Sequence, residues 1–212
     1  MDVSRGALLP GRDMRLGIKR AFDATVAAIL LVVLSPLLLA IAIAVKLSSP
    51  GPVFYVCHWV GEGGRRFDGY KFRTMVANAA AMEAELRARN EMTGPAFKIT
   101  DDPRVTPLGR VIRRYSLDEL PQLWSVLVGD LSLVGPRAPR LHEYQRFTEY
   151  QKQKLQVKPG ITCLWQIEGR HRISDYDEWV AKDLEYIRNW SLMLDLKILL
   201  RTIPVVFRGT GV

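Results

Sequence analysis

Metal-binding and redox signatures are nearly missing from this chain. Its 212 residues hold two cysteines and three histidines. Cys57 and Cys163 lie far apart, and His58, His142 and His171 are scattered. Neither a zinc framework nor a disulfide framework is encoded, and a reducing compartment suits the chain. There is no His-Glu-x-x-His and no Walker A loop, which sets aside zinc proteases and P-loop phosphotransferases. Gly61-Glu62-Gly63-Gly64 lacks the strand–turn–helix context of a dinucleotide fingerprint and reads as a hairpin turn. Internal repeats and low-complexity tracts are absent. Acidic charge is the minority, 22 residues against 30 basic ones for a net +8, so the expected partners are anionic: phosphorylated substrates, a membrane surface or nucleic acid. A long apolar segment and the lack of a recognisable nucleic-acid module argue for no nucleic-acid partner.

That segment runs from Ala21 to Val45, with Asp23 its only charge. As one helix it would reach about 37 Å, enough for a hydrocarbon core of about 30 Å. It is too long for a signal peptide and has no clear cleavage pattern after it. Basic residues flank both ends: Arg12, Arg15, Lys19 and Arg20 before, Lys46, Arg65, Arg66, Lys71 and Arg73 after. Loop charge therefore selects no orientation. Ser35-Pro36 lies near the middle, where Pro removes a helix hydrogen bond and Ser can satisfy the freed carbonyl. Two readings stay open: a kinked span, or a segment that enters the membrane and returns to the same face.

Beyond the Ser48-Ser49-Pro50-Gly51-Pro52 breaker, Val53–Val56 and Arg66–Arg73 predict a hairpin. Lys71 and Arg73 then share a face, either solvated or turned to phosphate. Val76–Met92 predicts a soluble helix and Leu108–Tyr115 a short basic one. Between them, Asp101-Asp102-Pro103 fits a turn better than a metal site. Leu123–Leu127 continues as helix. Gly135-Pro136-Arg137 sits in a loop with apolar anchors, so Arg137 is a surface residue or a fixed anion clamp. His142–Leu155 predicts a polar helix, Ile161–Ile167 a strand and Asp175–Asn189 a helix. Trp190–Phe207 carries Lys197, Arg201 and Arg208 on one helical face, which suits a helix lying on a membrane or packed on the core.

The densest chemistry lies in Arg113-Arg114-Tyr115-Ser116-Leu117-Asp118-Glu119-Leu120-Pro121-Gln122. Two carboxylates follow two arginines, a pattern suited to phosphate chemistry: a carboxylate can attack or hold a metal, and guanidinium groups neutralise phosphate oxygens. Ser116-x-x-Glu119 also fits a capping box, with Asp118 complementing the helix dipole. Both readings are compatible, because a helix start keeps a carboxylate ionised.

Taken together these residues resemble the bacterial sugar transferases, the monotopic phosphoglycosyl transferases. The resemblance covers about residues 18–208. It rests on Lys19-Arg20-x-x-Asp23, Ser35-Pro36, Ser49-Pro50-Gly51-Pro52-Val53-Phe54, Tyr70–Met75, Ser116–Leu123, Gly129–Arg137, Lys158–Thr162, Trp165-Gln166 with Gly169-Arg170, and Asn189–Leu192 with Asp195–Leu199. It implies a mixed α/β, mostly helical fold: a flexible basic leader (1–17), a re-entrant helix-break-helix membrane segment (18–47) broken at Ser35 and Pro36, and a cytoplasmic-face catalytic domain (48–212) with interfacial amphipathic helices.

By the same resemblance, a sugar 1-phosphate passes from a UDP-sugar to a polyprenyl phosphate at the bacterial inner membrane, with UMP released and Mg²⁺ required. Asp118 is implied as nucleophile and Glu119 as its dyad partner, the two also holding the metal. Arg113 matches a phosphate-binding arginine. Lys71, Arg73, Arg137, Gln166 and Arg170 are placed around the nucleotide sugar, and Lys19 and Arg20 near the lipid headgroup. Tyr115, Cys163 and Ala138 depart from the usual pattern without touching the dyad. The length resembles the stand-alone form, and with Trp165-Gln166 favours galactose or glucose. A homo-oligomer is compatible with all of this, and a non-catalytic membrane scaffold is the rival reading.

Overall fold

The computed structural model describes residues 12–169, 173–209 and 211. The chain opens with two helices, α1 (Arg12–Val33) and α2 (Ser35–Ser48), bent by 62° at Leu34. The cause of the bend is local. Pro36 has no N–H to give to Val32 O, and the Ser35 hydroxyl donates to that carbonyl instead, at 2.8 Å. Helical structure starts at Arg12, earlier than the expected residue 18; the rest of the expected leader, residues 1–11, lies outside the described residues.

Strands β1 (Phe54–Val60) and β2 (Arg66–Phe72) form the expected antiparallel hairpin, turning at Gly61–Gly64. Gly69 is forced by packing: a Cβ there would lie 2.0 Å from the Trp59 ring. The predicted helix over 76–92 is not formed. Turns lead into a single-turn α3 (Glu83–Leu86) and a 3₁₀ turn at Arg87–Arg89. The Ala-rich segment has no apolar stripe to bury, so propensity alone does not hold a helix there. Asn90 instead pins the following loop, donating to Met92 O and Ala96 O and accepting from Lys98 N.

Helix α4 (Pro107–Arg114) is capped by Thr106, whose hydroxyl accepts from Gly109 N, with Pro107 in its first turn. A 3₁₀ turn (Leu117–Glu119) leads into α5 (Gln122–Val128), which ends at Gly129 in the left-handed region. Strand β3 (Ser132–Val134) follows. The single helix expected over 142–155 is replaced by α6 (Leu141–Tyr144), α7 (Glu149–Lys152) and a 3₁₀ turn. Thr148 and Gln151 form the capping box that restarts the helix.

Strand β4 (Gly160–Thr162) pairs parallel with β3. The strand expected to reach Ile167 stops at Thr162, and α8 (Leu164–Gly169) takes over. Its start is held by Gln166 Oε1, which accepts from Cys163 N at 3.0 Å. Helices α9 (Tyr176–Arg188) and α10 (Leu192–Phe207) complete the chain.

The main core joins α1 to the rest: Ala27 packs with Trp59, Val126, Leu133 and Ile198. A second, aromatic core gathers Phe147, Trp165, Tyr176 and Trp179, with Trp165 and Trp179 stacked at 4.4 Å. Exposed apolar side chains concentrate on α1 and α2 (Ile29, Val32, Val33, Leu39, Leu47) and on α10 (Met193, Leu200, Ile203, Phe207).

Candidate active site

The site is built where α4 hands over to α5. Ser116 takes φ 55°, the only non-glycine positive φ among the described residues. The expected capping box is therefore not made: Ser116 offers no side-chain cap, and a left-handed residue cannot begin a helix as an extended N-cap does. The turn instead folds Asp118 and Glu119 inward, leaving them 8% and 9% exposed. Backbone held in a sparsely populated region is characteristic of functional sites.

Two adjacent buried carboxylates require nearby cations. Lys71, from β2, supplies one: its ammonium is 2.5 Å from Glu119 Oε1 and rests over the Trp59 ring. Arg113, on the last turn of α4, donates through Nε to Thr74 Oγ1 at 2.8 Å. Burial lowers the pKa of its guanidinium, while Asp118 and Asp102 oppose that shift. The backbone leading into Arg137 is held by pairing with β4: Gly135 N donates to Thr162 O, and Gly160 N donates to Pro136 O. Burial works against its charge, but Glu119 and Glu143 outweigh it and raise the pKa.

Asp118, Glu119, Lys71, Arg113 and Arg137 are thus brought into one neighbourhood. Arg140 joins them, unforeseen from sequence. Its charge is felt both at Arg113 and at Cys57, whose thiol pKa is raised by burial against the pull of Lys71, Arg140 and Arg137. The cue was an arginine three residues beyond Arg137. Thr74, which orients Arg113, was also missed as a site residue; it lies within the quoted Tyr70–Met75 motif.

Other expected site residues sit elsewhere. Arg73 does not accompany Lys71, because β2 ends at Phe72. Its guanidinium turns to the end of α2, donating to Pro50 O and Ser49 O at 2.7 Å and to Val45 O at 3.3 Å. Gln166 is buried and its side-chain carbonyl is used in the first turn of α8. Lys19 pairs with Asp195 at 2.6 Å and donates to Val134 O. Arg20 donates to Val126 O and Leu127 O, closing the C-terminal end of α5. This basic pair ties α1 to the body of the protein. Arg170 lies outside the described residues. Asp102 forms the expected turn, chelated by Arg104 at 2.7–3.2 Å.

Among the described residues, no three His, Cys, Asp or Glu side chains cluster as an all-protein metal cage. Mg²⁺ needs none: it commonly takes one or two carboxylates together with waters and phosphate oxygens. The adjacent Asp118 and Glu119 fit that donor set.

A family model described as bacterial sugar transferase matches residues 14–209. The galactosyl transferase CpsE of Streptococcus agalactiae is 50% identical over 76% of this chain and 36% of its own length. The undecaprenyl-phosphate galactose phosphotransferase of Salmonella typhimurium is 42% identical over 92% of this chain and 41% of its own. The exopolysaccharide production protein ExoY of Sinorhizobium fredii is 42% identical over 91% and 87% respectively. The chain therefore spans about two fifths of the length of the first two relatives and most of the third.

Proposed function

The chain belongs to the bacterial sugar transferase family, and from that premise we propose that it transfers a sugar 1-phosphate from a UDP-sugar to undecaprenyl phosphate. The observation that carries the reading is the buried Asp118–Glu119 pair facing Lys71, Arg113 and Arg137. In the proposed reaction an Asp118 oxygen attacks the sugar-bearing phosphorus of the donor. The bond from that phosphorus to the bridging oxygen breaks, and UMP leaves with the electron pair. The lipid phosphate then attacks the aspartyl phosphosugar, forming the lipid diphosphate sugar and restoring the carboxylate.

A carboxylate approaching a diphosphate meets like charge. Arg113 and Arg137 lower that barrier by neutralising phosphate oxygens where charge develops. Lys71 holds Glu119 in place beside the nucleophile. Mg²⁺, held by Asp118 and Glu119, would supply further charge neutralisation. Relatives are named for galactose, glucose and N-acetylgalactosamine phosphotransfer, and we take galactose or glucose as the first donors to test.

The same reading places the enzyme as a monotopic protein of the bacterial inner membrane, active on the cytoplasmic face. No single described helix is long and apolar enough to cross a membrane, whereas the bent α1–α2 pair passes on length and composition together. The apolar part of α1 and all of α2 are each about 20 Å long, short of a hydrocarbon core of about 30 Å. The bent pair suits either a broken span or a re-entrant segment; in the proposed re-entrant arrangement the dyad sits at the interface, where a soluble donor and a lipid phosphate can both reach it.

The direct test is a panel of UDP-sugars with UMP detection, on wild type and Asp118→Asn in detergent or lipid nanodiscs. Wild type is expected to release UMP with one hexose donor and to retain labelled sugar phosphate on the protein. The variant is expected to do neither while remaining folded. UMP release by Asp118→Asn at near wild-type rate would remove the nucleophile assignment.

A further inference from the structure

A complete ion pair lies in the interior with no part in the reaction above. Lys154, on the 3₁₀ turn after α7, places its ammonium 2.5 Å from Asp183 Oδ2 on the inner face of α9, and both side chains are 1% exposed. Such pairs are poor stabilisers. Removing two charges from water costs about as much as their attraction returns, and apolar residues of similar volume usually do as well. The surroundings are already apolar: Trp179 and Val180 flank Asp183, and the Tyr176 ring lies 5.5 Å from the Lys154 ammonium. Leucine or methionine would serve the core, so the charges call for another explanation.

Asp183 lies one turn along α9 from Tyr186, whose hydroxyl donates at 3.1 Å to Val134 O, the last residue of β3 before the Arg137 segment. The Asp183 carboxylate faces the backbone N–H of Arg137, and Arg137, Cys163 and Lys154 all act electrostatically at this point. Burial raises the Asp183 pKa, while Lys154 and the Arg137 N–H oppose that shift and favour the ionised acceptor. From the other side, Gly160 pairs with Pro136 and Arg137. The Arg137 backbone is thus held between β4 and the Asp183 carboxyl group, which Lys154 in turn holds in place.

We propose that Lys154 and Asp183 are positioning residues that fix the Arg137 segment so that its guanidinium meets the donor diphosphate; the ligand side of this statement rests on the function proposed above. The decisive variant is the double apolar replacement Lys154→Met/Asp183→Leu, which leaves no unpaired charge. It is expected to keep or raise the melting temperature, to raise the donor KM at least tenfold and to change kcat less. Combined with Arg137→Ala it should add nothing further to the KM, because both act through one side chain. Hydrogen exchange across 135–140 should quicken at least tenfold in the double variant, a readout that needs no turnover.

A double variant with wild-type KM and wild-type exchange would overturn the proposal, as would additivity with Arg137→Ala. Should that variant unfold, Lys154→Arg, which preserves the pair, must restore wild-type KM and exchange; failure to do so also overturns it. A wild-type protein that releases UMP from no donor would instead sink the function, and the exchange measurement would still decide the positioning role.

Discussion

Gly109→Ala separates helix propensity from tertiary fit. Gly109 is the third residue of α4, and in an isolated helix alanine there is favoured by about 1 kcal/mol. In the folded protein a Cβ at this position would lie 2.0 Å from Thr74 O and 2.8 Å from both Thr74 C and Thr106 Oγ1. Real contacts to a Cβ start near 3.0 Å, so α4 and the Thr74 backbone must part by about 1 Å. Overpacking of this kind costs about 1–3 kcal/mol. After the propensity gain, a net loss of up to about 2 kcal/mol is expected, or up to about 8 °C in melting temperature.

The functional effect should be larger than the loss of stability. Thr74 Oγ1 orients Arg113 through a 2.8 Å hydrogen bond, and a displacement of about 1 Å would break it. Misplacing a charge-stabilising group by that distance lowers turnover by about a hundredfold. The assay pairs thermal unfolding in detergent with UMP release at 25 °C, where the variant remains folded. A raised melting temperature with unchanged turnover would refute both the packing argument and the role given to Arg113.

Arg73→Met tests whether this residue caps α2 or binds donor: the melting temperature should fall by about 4–12 °C, for charged hydrogen bonds worth about 2–3 kcal/mol, with donor KM within twofold. A tenfold KM rise at wild-type stability would return Arg73 to the phosphate site. Asp102 has its pKa pushed up by burial but brought below the ordinary 3.8, on balance, by its hydrogen bonds and ion pair with Arg104. A depressed carboxylate stabilises the fold above its unfolded pKa and loses that contribution as pH falls through the folded one. The melting-temperature gap between wild type and Asp102→Asn should therefore be flat from about pH 7 to 5 and close below pH 3.8. A gap that closes near neutrality would refute the assignment. Single cysteines replacing Asp13 and Glu62, in a Cys57→Ser/Cys163→Ala background, should label from the same side of the membrane; labelling from opposite sides would exclude the re-entrant arrangement.

What the sequence determined by itself is chiefly local. Pro36 breaks the apolar helix wherever the chain is placed, because its missing N–H and the Ser35 hydroxyl act within one turn. Alternation in Arg66–Phe72 set the second arm of the hairpin, and Thr106-Pro107 set the start of α4. Adjacent carboxylates beside Arg113 marked the candidate site because paired charges must meet cations somewhere. Tertiary structure decided which cations those were. Lys71 and Arg73 look equivalent along a strand, yet one faces Glu119 and the other closes the end of α2, because the strand stops between them. Ser116 reads as a cap, but at the turn between α4 and α5 it takes the left-handed region and makes no cap hydrogen bond. The alanine-rich 76–92 segment favours helix by composition and lacks a face to bury. Lys154 and Asp183 lie 29 positions apart and carry no motif; only packing α9 against the 3₁₀ turn after α7 brings them together. Interactions within a turn follow from residue identity. Those across the fold depend on where helices and strands end, and that is set by what they pack against.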